Sequence, residues 1–152
     1  MVKIYIGSDH AGFKLKEKMK LFLDKSEKYF WTDLGAHKLK QGDDYLNYAM
    51  DVAKAVVFNK DSFGILICGS GHGVCIVANK VKGIRAALCE NLRDAYNSRN
   101  DDDANVLCLQ GRYTKVEDAK KIVKKFLETN FSGEARHLRR VNQIKKLENR
   151  NI

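Results

Sequence analysis

Apolar and polar positions switch between two periods along the chain. Val2–Gly7 is a short apolar, β-rich run; Phe13 to Leu23 then carries apolar residues at 13, 15, 19, 22 and 23 among lysines, the spacing of a helix face. Tyr29–Leu34 reads as a second strand, ending at Gly35. Tyr45 to Phe58 has apolar residues at 45, 48, 49, 52, 53, 56 and 57, another helical stripe. Phe63–Cys68 is apolar almost throughout, as strands buried on both faces are. A helix is predicted over Gly71–Asn79, strands over Ile84–Cys89 and Val106–Leu109, and helices over Leu92–Arg99, Val116–Thr129 and Arg136–Glu148.

This alternation predicts an α/β fold: a single Rossmann-like, doubly wound domain over residues 1–152, with about five parallel strands and helices on both faces. The basic C-terminal helix, about 136–148, is expected to dock on a partner subunit. In such folds ligands bind at the carboxyl ends of the strands. That rule directs attention to the segments after the first, third, fourth and fifth strands.

Composition narrows the class. The chain has 152 residues, 44% hydrophobic and 31% charged, an ordinary balance for one packed core. No apolar stretch approaches the ~18 residues that span a bilayer. The N-terminus reads as a strand and lacks the basic head and apolar middle of a signal peptide. A cytoplasmic location with no membrane partner is expected. Cysteines stand at 68, 75, 89 and 108 with no Cys-x-x-Cys pair, which suits free thiols in a reducing compartment. The net charge of +9 fits either a solvated basic surface or an anionic ligand. No aromatic platform or binding module points to nucleic acid.

The chemistry-bearing residues cluster at the strand ends. Cys68-Gly69-Ser70-Gly71-His72-Gly73 joins a buried strand to a helix through glycines at alternate positions. Such a loop lets backbone N–H groups approach an anion, a phosphate or an enediolate. It is neither a Walker A loop nor a dinucleotide fingerprint, and a tight strand–helix turn is the plainer reading. Cys68 at the loop's entry reads as a thiol poised to take a proton from carbon, or as a buried structural cysteine. Asp9-His10 after the first strand suits sugar hydroxyls and proton transfer, or a helix cap by Asp9 or Ser8. Arg112, Arg136, His137 and Arg140 form a basic group in which 136 and 140 share a helix face.

Taken in order, Gly7–Gly12, Asp44-Tyr45, Gly64–Gly71, Ala78-Asn79-Lys80, Gly83–Ala86, Ser98-Arg99, Asn105-Val106-Leu107 and Arg136-His137 with Arg140-Val141 resemble the ribose-5-phosphate isomerase B family, which includes galactose-6-phosphate isomerase subunits. The resemblance covers nearly the whole chain. It implies a metal-free, cofactor-free aldose–ketose isomerase of the pentose phosphate pathway that interconverts ribose 5-phosphate and ribulose 5-phosphate. It also implies a homodimer or tetramer with sites shared between subunits. By this resemblance Cys68 is the base, and Ser70 with the amides of Gly69, Gly71, His72 and Gly73 holds the enediolate. Asp9, His10 and Tyr45 contact the sugar, and Arg112, Arg136, His137 and Arg140 surround the phosphate.

One departure matters. Where the family has His-Asn after Ser-Arg-x, this chain has Asp101 and Asp102. The family His opens the furanose ring, whereas an aspartate, with an ordinary pKa of about 3.9, accepts a proton at neutral pH but donates poorly. Three readings stay open. Asp101 and Asp102 take over the two roles, another group such as His72 or His10 replaces the His, or the chain is an altered or non-catalytic relative. A six-carbon sugar phosphate is the alternative substrate.

Overall fold

The computed structural model describes residues 1–150; residues 151 and 152, the end of the expected domain, lie outside the described residues. The elements run β1 (Val2–Ser8), α1 (Phe13–Leu23), β2 (Tyr29–Asp33), α2 (Tyr45–Phe58), β3 (Ser62–Cys68), α3 (His72–Ala78), β4 (Ala86–Leu88), α4 (Leu92–Asn100), β5 (Val106–Gln110), α5 (Val116–Glu128) and α6 (Ala135–Leu147). The strands form one parallel sheet in the order β2-β1-β3-β5-β4.

The period-two pleat sends alternate side chains to opposite faces. Ile65 and Ile67 of β3 pack with Leu15, Met19, Ala95, Ile122 and Phe126 of α1, α4 and α5. Leu66 and Cys68 pack on the other face with Val52 and Ala53 of α2 and Val74 and Ala78 of α3. The sheet is therefore doubly wound, with helices on both faces, as the alternation predicts. Central strands with two covered faces carry near-continuous apolar runs, which is why Phe63–Cys68 has almost no polar position.

β4 is shorter than the predicted Ile84–Cys89. Ile84 closes a turn onto the Val81 carbonyl, and the Arg85 amide donates to the Asn105 side chain at 2.8 Å instead of joining the ladder. In the acidic run 101–103, Asp101 and Asp102 form a turn and Asp102 is exposed. Asp103, with φ of 50°, binds Arg99 at 2.8 Å and Arg85 at 2.9 Å, tying the end of α4 to the start of β4. Ser98-Arg99 and Gly83–Ala86 thus owe part of their pattern to this joint.

Candidate active site

The strand order places β1 between β2 and β3, so the connections leaving β1 and β3 diverge. A crevice opens at such a switch point, beyond the strand ends. Here it is a cleft of about 280 Å³ lined by Asp9, His10, Tyr45, Cys68, Gly69, Ser70, Gly73 and Arg112, among others. Residues from four separate stretches meet there: the loop after β1, the start of α2, the end of β3 with its loop, and the loop after β5.

Cys68 ends β3 and is 4% exposed. After it, Gly71 takes φ of 77°, a left-handed turn that starts α3, and a Cβ there would collide with Leu88 Cδ1 at 2.5 Å. The Ser70 and Gly71 amides donate to no backbone carbonyl among the described residues, so these N–H groups remain for a ligand. The Arg112 guanidinium lies against Gly69, and the Arg112 amide donates to the Gly69 carbonyl at 3.1 Å, which fixes the cation beside the loop. Tyr45, at the first turn of α2, lays its ring on Gly73; a Cβ on Gly73 would sit 2.6 Å from it.

Asp9 is 5% exposed and its carboxylate accepts the Gly12 amide at 3.0 Å, so the capping reading holds for Asp9 while it also lines the cleft. Ser8 caps nothing; its Oγ is buried with no partner among the described residues. His10 is held by Asp43, which the sequence reading passed over. One Asp43 oxygen accepts the His10 amide at 2.7 Å and faces its Nδ1 at 2.9 Å, and the other accepts the Tyr48 hydroxyl at 3.0 Å. Burial pushes the Asp43 carboxyl up, but these donors outweigh it and hold the group below its ordinary value.

The loop behind these residues is pinned by charge. Lys16 is fully buried and reaches both Asp33 oxygens, at 2.6 and 2.7 Å, and the Ala36 carbonyl at 2.8 Å. Gly35 and Ala36 in turn exchange backbone hydrogen bonds with Ser8, both at 2.8 Å, just before Asp9-His10.

The remaining expected site residues lie elsewhere in the subunit. Gly71 and His72 do not line the cleft, and His72 is exposed. Asp101 caps α4, and Asp102 is exposed. Of the basic group only Arg112 reaches the cleft. Arg136 pairs with Glu134 at 3.0 Å, and Arg140 is exposed. His137 is buried, with Nδ1 2.7 Å from Ser132 Oγ and 3.7 Å from Asp101. A larger cleft, about 900 Å³, lies at the amino end of β3, but its Arg85 and Arg99 are spent on Asp103.

Known proteins resemble this chain over nearly its whole length. The ribose/galactose isomerase family matches residues 4–144. A probable ribose-5-phosphate isomerase B of Mycoplasma pneumoniae is 47% identical over 93% of this chain and 91% of its own length. The type B ribose 5-phosphate isomerase of Trypanosoma brucei superposes with a TM-score of 0.92 at 41% identity, covering 97% of this chain and 99% of that one. The Mycoplasma genitalium ribose-5-phosphate isomerase B, solved with bound ribulose 5-phosphate, gives a TM-score of 0.90 at 43% identity over 97% and 96%. A family match over residues 4–144, together with relatives this similar along nearly the whole length, shows that this chain belongs to the ribose/galactose isomerase family.

Proposed function

We propose that the protein interconverts ribose 5-phosphate and ribulose 5-phosphate through an enediolate. The observation that carries this is the placing of the Cys68 thiol beside a glycine loop with unused amides and beside Arg112, in one cleft. Cys68, as thiolate, takes the proton from C2 of the open aldose or C1 of the ketose and returns it to the neighbouring carbon. Negative charge moves onto the two carbon-bound oxygens, where the Ser70 hydroxyl and the unused Ser70 amide stabilise it. Asp9, His10 and Tyr45 hold the sugar, and Arg112 serves the phosphate. A spectrophotometric assay of purified protein with ribose 5-phosphate tests this; binding without turnover means a non-catalytic relative, and turnover of only a six-carbon phosphate moves the substrate class.

The single domain is proposed to act in the cytoplasm as a homodimer with shared sites. No helix among the described residues is long and apolar enough to cross a membrane. Arg136, His137 and Arg140 stand apart from their own subunit's cleft, while α6 exposes Leu138, Ile144 and Leu147. Docking of α6 on a second copy covers this face and brings its cations to the partner's phosphate. Mixed dimers test the sharing: Cys68→Ala and Arg140→Ala chains, each inactive alone, should regain turnover when co-expressed. No recovery rejects shared sites.

Gly73→Ala tests the close approach at the cleft wall. Its Cβ would push the Tyr45 ring aside, and the KM for ribose 5-phosphate is expected to rise about tenfold, the equivalent of ~1.4 kcal/mol. An unchanged KM means Tyr45 does not touch the sugar.

A further inference from the structure

Ribose 5-phosphate exists mainly as a furanose, and isomerisation needs the open aldehyde. Opening the ring takes a group that both accepts and donates a proton. The aspartate at position 101, where the family has a histidine, lies 3.7 Å from His137 and lines no part of its own subunit's Cys68 cleft. Of the two histidines the sequence offers as replacements, His72 lies outside the cleft, and His10 lines it.

His10 is also built for proton transfer. The Asp43 side chain is 6% exposed and directs both oxygens to fixed donors: the His10 amide, the His10 ring and the Tyr48 hydroxyl. An ionised carboxylate only accepts, so Nδ1 of His10 carries its hydrogen toward Asp43, and the lone pair is left on Nε2. Among the described residues Nε2 has no partner. A base oriented by a carboxylate with its other nitrogen free is the arrangement that proton shuttles share.

We propose that His10, positioned by Asp43, opens and closes the furanose ring in this protein, a role that rests on the isomerase reading above. Nε2 takes the proton from the C1 hydroxyl as the C1=O double bond forms. The bond from C1 to the ring oxygen breaks, its electron pair stays on that oxygen, and the same Nε2 proton is delivered there. Protons and electrons balance with no other reactant, and Cys68 then works on the open chain.

The test separates ring opening from isomerisation. Ribulose 5-phosphate has its terminal oxygen phosphorylated, forms no furanose and needs no opening. In Asp43→Asn, turnover of ribose 5-phosphate should fall about 10²-fold, while deuterium exchange at C1 of saturating ribulose 5-phosphate in heavy water stays within about threefold. The retained exchange doubles as the control for folding. Equal loss of both activities, or loss of neither, overturns the role of His10. Wild-type protein that catalyses no exchange overturns the isomerase reading itself.

Discussion

Cys68→Ala should leave the protein folded and lower turnover of ribose 5-phosphate by about 10³-fold, the middle of the range for loss of a proton-transferring group. The fold should survive because the change removes one sulfur from an apolar cluster that includes Leu66, Val74 and Cys108, at a cost of about 1–2 kcal/mol. Both the carbon acid and the product carbon need the same base, so no neighbouring group compensates: Asp9 is committed to the Gly12 amide and His10 to Asp43. Mutation is a cleaner probe than thiol labelling. The Cys108 thiol beside Cys75 lowers that group to about 7, which makes Cys75 a competing nucleophile, whereas burial pushes Cys89 up to about 12. Retention of full turnover in Cys68→Ala would remove Cys68 from the mechanism.

Asp33→Ala should cost about 3 kcal/mol, the scale for stripping a buried ion of its partner. Lys16 has no exposed surface, and both of its short ionic contacts are to Asp33. For a chain of this size the loss lowers Tm by roughly 10 °C. The same pair sets the acid limit. Burial pushes the Asp33 carboxyl up, but Lys16, Lys20 and the Gly35 amide outweigh it, so its folded value lies below the ordinary one. A lowered carboxyl contributes stability above its unfolded pKa, and this is lost as pH falls through the folded value. Wild-type stability should therefore decline below about pH 4, and the gap between wild type and Asp33→Ala should narrow there. Thermal melts at neutral and acid pH measure both effects. A pH-independent gap would mean that the ion pair is not its source.

The fold was legible because its signals are local. The stripes at Phe13–Leu23 and Tyr45–Phe58 coincide with α1 and α2, and the apolar run before Cys68 marks the central strand. β4 is where local reading overreached: Ile84 and Arg85 are apolar-flanked like a strand, yet a turn and the distant Asn105 side chain claim their amides. At the site, the glycine loop and Asp9-His10 announced themselves through chain order. Asp43 did not, because its partner His10 is 33 positions away. Its signal was two consecutive acids just before a helix, at the carboxyl end of a strand. The arginines of α6 were legible as a basic face but not as groups remote from their own cleft, since one chain's spacing carries no information about a second copy.

The most direct test of the account follows hydrogen at C1 of ribulose 5-phosphate by NMR in heavy water with purified protein. The account predicts deuterium uptake at C1 in the wild type and its loss in Cys68→Ala. A folded wild-type protein that binds ribulose 5-phosphate and exchanges nothing, or a Cys68→Ala variant that exchanges as fast as wild type, would contradict it.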